Sequence, residues 1–198
     1  MKLQDLTIDQ FQRLAALELS PALNDFDKRL AVVAIADGID IAKAKEMPAT
    51  SLSKRYKEIV KEWNELPTLA YKRKFKAKGR WWIPTVFTDE LTAGQLIELM
   101  DIKTTDERQL VQNLHRIMAS LCREGGLFGW FPEKYDGASH AERAEIMKHH
   151  ATVGDVWGVV SFFLLSSESY LQILSDYSKT LMTTAQSRMG ICRKHRLG

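Results

Sequence analysis

The chain has 198 residues, 28 basic and 25 acidic side chains, a formal net charge of +3, and is 45% hydrophobic and 27% charged. This balance excludes wholesale disorder, and the length suits one large domain. Its two cysteines, Cys122 and Cys192, lie far apart and outside any CxxC, so plain thiols in a reducing compartment are expected and no cysteine framework for a metal exists.

The opening MKLQDLTIDQF lacks the apolar core of a signal peptide. The longest apolar stretch, near Val156 to Leu165, is interrupted by Gly158 and Ser161 and falls short of the ~20 residues a bilayer span needs. A soluble protein with no membrane segment is expected. Four pairs match the capping box, in which a Ser or Thr and a Gln or Glu three residues on satisfy free N–H groups at a helix start. They are Thr7/Gln10, Thr92/Gln95, Thr104/Glu107 and Ser139/Glu142, each ahead of an apolar periodic run.

In chain order, Ile8, Phe11, Leu14 and Ala15 predict a first short helix. A second, carrying Leu30, Val33 and Ala34, begins near Asn24 or Asp25 and stops at Gly38. A short third covers Asp40 to Glu46 before Pro48. Leu52, Tyr56, Ile59, Val60 and Trp63 form the stripe of a fourth, which Pro67 closes.

The rhythm then changes. In YKRKFKAKGRWW, residues 71–82, Tyr71, Arg73, Phe75 and Ala77 alternate with Lys72, Lys74, Lys76 and Lys78. Period-two alternation predicts a strand, with a turn at Lys78-Gly79 where Gly79 takes a positive φ. The return strand runs from Arg80 to Phe87, and Pro84 argues that it is an edge or is bulged. The hairpin therefore spans about residues 70–87. Residues 1–66 hold ten basic and eleven acidic side chains, and residues 88–198 hold twelve and fourteen. The six cations of residues 71–80 supply the whole positive excess, a local patch suited to an anionic partner.

Helices resume after Thr88. Leu96, Leu99 and Met100 form the apolar side of a short one. Leu110, Leu114, Ile117, Met118 and Leu121 mark a longer one, expected to end at Gly125-Gly126 with Arg123 in its last turn. GLFGWFPEKYDG reads as a loop, and Phe128, Trp130 and Phe131 are too apolar for a free one, so a contact within the chain or across subunits is expected. Ala141 to His150 reads as a short amphipathic helix, and a last long helix runs from about Val153 to Gln186. MGICRKHRLG makes a basic tail containing Arg193, Lys194 and Arg196. The fold class is mainly α, a helical body with one central β-hairpin. One domain over residues 1–198 is expected, with N-terminal helices at 1–67, the basic hairpin at 68–88, C-terminal helices at 89–186 and the tail at 187–198.

No residue is singled out as catalytic, cofactor-binding or metal-ligating. His149-His150 lie near Glu145, but adjacent residues on a helix point apart and no HExxH occurs. His115 reads as a boundary residue and Cys122 as a buried small one. No G-x-S-x-G, P-loop or GxGxxG is present, and Asp37 and Asp40 around Gly38-Ile39 fit a helix-ending turn better than a calcium loop. The basic hairpin has three readings: contact with phosphates and bases, docking on an acidic surface of another subunit, or protection of an exposed strand edge. The partner-binding candidates are Lys72, Arg73, Lys74, Lys76, Lys78, Arg80, Trp81, Trp82, Phe128, Trp130, Phe131, Arg193, Lys194 and Arg196.

Several segments carry a resemblance. LTIDQFQRL and KRLAVVAIADGIDIAKAKEMPATSLSKRYKEI, then KFKAKGRWW, FTDELTAGQLIELMDI and NLHRIMASLCRE, resemble small proteins of tailed-phage structural gene modules, especially phages of Bacteroidota hosts. Gly79-Arg80-Trp81 followed by Leu91-Thr92-Ala93-Gly94-Gln95-Leu96-Ile97-Glu98 matches their recurrent arrangement, with Leu96 where those proteins carry an aromatic. The resemblance covers roughly residues 5–175 and carries no catalytic residue. It implies a tail-assembly chaperone, or a head–tail connector, ring or tail component of the virion, with no enzyme activity and no cofactor or small-molecule substrate. Partners would be other phage structural proteins and copies of the chain itself, in the virion or in the host cytoplasm during assembly. Contact of the hairpin or tail with DNA is the alternative.

Overall fold

A computed structural model describes residues 2–18, 23–63, 71–85, 87, 90–102, 107–126 and 129–163. It is mainly helical, with a small three-stranded antiparallel sheet made of a hairpin and one further strand.

Local chemistry sets the N-terminal helices. Helix α1 (Ile8–Glu18) begins with a capping box: the Gln10 N–H donates to Thr7 Oγ1 at 3.2 Å and the Thr7 N–H donates to Gln10 Oε1 at 2.9 Å. Helix α2 (Asp25–Asp37) is capped by the Asn24 side chain and closed by Gly38 at φ 64°. Asp40 caps the short α3 (Ile41–Lys45), and α4 (Ala49–Trp63) follows. Leu30, Val33, Ala34, Leu52 and Ile59 bury one cluster among α2, α3 and α4. The Arg55 guanidinium grips the Asp37 carboxylate, from 3.0 Å through Nε and 2.5 Å through Nη2, and ties α4 to the end of α2. Leu6, Leu14, Ile35 and Val153 form a second cluster that joins α1 to α2 and to the start of the last helix.

The hairpin is shorter than the alternation predicts. Strand β1 is Phe75–Ala77 and β2 is Arg80–Pro84, paired as Phe75↔Trp82, Lys76↔Trp81 and Ala77↔Arg80. The turn is where it is expected, but Lys78 (φ 51°) and Gly79 (φ 74°) both take positive φ, as a type I′ turn requires. Glycine does so freely, whereas lysine there costs about 1 kcal/mol.

Two expectations fail next. Helix α5 (Ala93–Asp101) is followed by α6 (Glu107–Leu121), which stops at Leu121 instead of running on to Gly125-Gly126. Cys122–Gly125 is strand β3, paired with β2 as Trp81↔Gly125, Trp82↔Glu124, Ile83↔Arg123 and Pro84↔Cys122. Strand β2 is therefore the central strand, not an edge. It tolerates Pro84 because backbone groups of residues 80, 82 and 84 face β1, and β1 begins only at Phe75, so no ladder acceptor waits for a Pro84 N–H. Thr85 continues the other ladder by donating to Leu121 O at 2.7 Å.

The main core lies where the inner face of the sheet meets the last helices. Phe75, Ala77 and Trp82 pack with Leu121 and Met118 of α6, Met147 of helix α7 (His140–His150), and Val156 and Val160. The last two belong to helix α8, which covers 153–163 and opens on a Thr152/Asp155 capping box. The long helix expected over Val153 to Gln186 is helical through residue 163, and its remainder lies outside the described residues. The buried positions of α7, Arg143, Ala144, Ile146 and Met147, share one side of the helix, but Arg143 makes that side mixed rather than purely apolar.

One histidine gives this core a pH dependence. Gln12 Nε2 donates to Val111 O (2.8 Å) and Gln112 O (2.9 Å), and it lies 3.0 Å from His115 Nδ1. An amide nitrogen facing two carbonyls is a donor, so Nδ1 accepts and the ring is neutral. Burial, reinforced by Lys148, lowers the His115 pKa from 6.5 to about 4. The unfolded chain binds this proton more readily, so stability falls as pH drops from about 6.5 toward about 4. His115→Gln is expected to flatten that part of a stability–pH curve measured by urea unfolding. An unchanged curve would assign the loss to other groups.

Candidate interaction surface

The alternation of β2 sends Trp81 and Trp82 to opposite faces. Trp82 is wholly buried, and its Nε1–H donates to Ala77 O at 3.1 Å. It is a core residue, which corrects its assignment to a partner surface. Trp81 is half-buried on the outer face, and the ammonium groups of Lys74 and Lys76 each lie 4.8 Å from the centre of a Trp81 ring.

The remaining cations of the hairpin are less available than their number implies. Lys72 pairs with Asp155 at 2.7 Å, and Arg80 pairs with Glu124 at 3.1 Å. Arg73 and Lys78 are exposed. The row is therefore partly neutralised by carboxylates from β3 and α8. Phe128, Arg193, Lys194 and Arg196 lie outside the described residues.

Trp130 and Phe131 are the clearest surface feature, 74% and 73% exposed. Backbone bonds hold the loop that presents them: Gly129 N–H to Gly126 O (2.6 Å), Gly126 N–H to Phe131 O (2.9 Å) and Glu133 N–H to Glu124 O (2.8 Å). Two glycines let this loop lie on the sheet. A Cβ on Gly125 would stand 2.8 Å from Gly129 Cα, and a Cβ on Gly129 would stand 2.8 Å from Trp81 Cβ. Gly129 also has φ 70°. Gly129→Ala combines a strained backbone with a collision against the stem of Trp81, and should cost roughly 2 kcal/mol or more in thermal unfolding. A neutral result would mean that the loop does not rest on Trp81.

Helix α5 departs from its expected apolar side. Its capping box forms as predicted, yet Gln95 is fully buried and donates to Ser120 O at 2.8 Å. Leu99 packs on the main core, whereas Met100 is 74% and Ile97 61% exposed. The predicted Ser139/Glu142 box does not form, because the Ser139 hydroxyl donates to Asp136 O and accepts from Arg143 Nη1. The Thr104/Glu107 box lies outside the described residues.

A buried polar cluster joins α5, α6 and α7. Arg143 donates from Nε to Ala119 O at 3.2 Å and from Nη1 to Ser139 Oγ at 2.6 Å, and its guanidinium lies 4.7 Å from the Tyr135 ring. Tyr135 donates its hydroxyl to Glu98, which also faces Arg143 Nη2 at 3.9 Å and His140 Nε2 at 3.6 Å. Burial lowers the Arg143 pKa, with Glu98 and Asp136 opposing that shift. Ser120, His140 and Glu98 have the residue types of a hydrolytic triad, but the geometry differs. Ser120 Oγ (3.0 Å) and Glu98 meet the same ring nitrogen, Nε2, and Ser120 is wholly buried. A triad needs the acid on one ring nitrogen and an accessible nucleophile on the other. The cluster therefore braces helices. No sequence motif marks it, because its members come from three helices and a loop.

Cys122 is fully buried, and burial raises its thiol pKa, so it packs as a small apolar residue. Among the described residues no three His, Cys, Asp or Glu side chains gather as a metal site would require. An open apolar groove of about 650 Å³ runs between α1 and α2, with Leu14, Val32 and Tyr56 on its walls. No protein-family model matches the chain, and no curated protein or solved structure matches it significantly.

Proposed function

We propose that this chain is a non-enzymatic assembly protein that works through protein–protein contacts, as a connector, ring or tail component of a tailed-phage particle. The observation that carries the reading is the Trp130–Phe131 pair, held out by a hydrogen-bonded loop on the outer face of the sheet. Two large aromatics displayed on a fixed frame are the raw material of a binding hot spot, since each buries much area at little entropic cost. The phage setting rests on the sequence resemblance alone.

A protein inventory by mass spectrometry of particles from cells that encode the chain tests this. Recovery in stoichiometric amounts supports a virion component. Absence from particles, together with a defined complex in the lysate, moves the reading to a tail-assembly chaperone. A chain that is monomeric in lysate and missing from particles defeats both.

A further inference from the structure

Helix α5 turns a bare apolar face outward. Gln95 and Ile102 are buried and Leu99 packs on the main core, so the opposite side is centred on the exposed Ile97. Ala93 and Met100 lie on one flank of Ile97, Gly94 and Asp101 on the other, and all four are exposed. The charge on this helix is out of place. Asp101 stands at its negative C-terminal end, with no basic residue in the last turn and no acidic residue in the first. The nearby Glu98 is turned away, toward Tyr135 and Arg143. At the other end Thr92 Oγ1 accepts from the Gln95 N–H, which leaves the N–H groups of Ala93 and Gly94 without intrahelical acceptors.

We infer that this face pairs with α5 of a second copy of the chain, antiparallel and about a two-fold axis at Ile97. An isologous contact must be self-complementary, and this face has that property. Ile97 stands midway between Ala93 and Asp101, and midway between Gly94 and Met100. Reversing a second helix about Ile97 keeps each flank on its own side. Met100 then lies over the small Ala93 of the other copy, and Asp101 comes beside Gly94 at the positive end of the other helix. Each large side chain meets a small one, and each misplaced carboxylate meets N–H donors. The seam is short: α5 has 9 residues, where a stable interface uses roughly 20–30 a side, so a weak dimer with a Kd of about 10–100 µM is expected. The inference goes beyond the virion reading and does not depend on Trp130–Phe131.

Sedimentation equilibrium of the full chain, from micromolar to millimolar concentration, should show a monomer–dimer equilibrium. Ile97→Lys with Met100→Lys should weaken it at least ~30-fold, and Ala93→Gln, which fills the seat of Met100, about tenfold. All three positions are exposed, so unchanged thermal unfolding of the dilute monomer is the folding control. Asp101→Lys should weaken the dimer about tenfold. Tighter association would mean that Glu90, exposed just ahead of the helix, meets this position, and would overturn the register. The axis has its own signature. In a Cys192→Ser background, Ile97→Cys should form a disulfide-linked dimer under a mild oxidant, and Thr50→Cys on α4 should not. A monomer at every concentration, full association by the lysine pair, or equal cross-linking at the two positions would each overturn the inference. A monomeric chain whose Ile97/Met100 variant is lost from particles would assign the face to a different protein, which also overturns it. A dimer through α5 in a chain that never enters particles upholds it and defeats the virion reading.

Discussion

Trp82→Ala is expected to destabilise the chain by roughly 3–5 kcal/mol, the range for emptying a buried large aromatic site. The side chain is fully buried among the residues of β1, α6 and α7, and its Nε1–H satisfies Ala77 O next to the turn. Truncation leaves a cavity where sheet and helices meet and removes a bond that fastens the two hairpin strands. For a domain of this size, that corresponds to a fall in Tm of about 8–15 °C. Trp82→Phe separates the two contributions: it retains most of the volume, loses the N–H, and should cost about half as much. Trp130→Ala is the control and should change Tm little, because a 74% exposed ring contributes little to folding. Equal losses for Trp82→Ala and Trp130→Ala would show that the two tryptophans have not been assigned to the right faces.

The neighbouring Trp81 and Trp82 of β2 show what sequence can resolve. The alternation of residues 71–82 makes a hairpin legible, and it requires adjacent tryptophans to face opposite ways. Which one faces inward depends on what the sheet packs against, and that is tertiary information. The helix caps divide similarly. Thr7/Gln10 and Thr92/Gln95 are local devices and form as the spacing predicts. Ser139 is drawn away by Arg143 and Asp136, partners that a local pattern does not weigh. Strand β3 is invisible for a related reason. Cys122–Gly125 is short, follows α6 without a break signal, and is extended because β2 offers it a ladder. In α5 the capping box locates the helix correctly, yet the buried Gln95 and the exposed Ile97 and Met100 invert the simple apolar rule. The apolar Trp130–Phe131 pair was legible from composition alone, though not whether it packs within the chain or stands exposed. Its rigid support was not, because that depends on Gly125 and Gly129 meeting Trp81 across the sheet.

Arg143→Met should be nearly as damaging as the loss of Trp82, at about 3 kcal/mol. Replacing a buried ion by an apolar side chain of similar length is often neutral when its partner charge is removed with it. Here the partners are mostly backbone and stay in place. Ala119 O, Asp136 O and the Ser139 hydroxyl each accept from the guanidinium, and methionine offers none of them a donor. A buried acceptor left unsatisfied costs about 1–3 kcal/mol, so carbonyls rather than the Glu98 charge dominate the loss. Glu98→Gln distinguishes the two sources. It removes the charge 3.9 Å from Arg143 Nη2 but keeps an oxygen for the Tyr135 hydroxyl, and should cost about 1 kcal/mol or less. Arg143→Lys should recover only part of the stability, since one ammonium cannot reach Ala119 O, Asp136 O and Ser139 Oγ together. Urea unfolding of the three variants measures the order, Arg143→Met worst, Arg143→Lys intermediate, Glu98→Gln mildest. If Glu98→Gln proved as costly as Arg143→Met, the cluster would be an ion-pair lock rather than a brace that satisfies buried carbonyls.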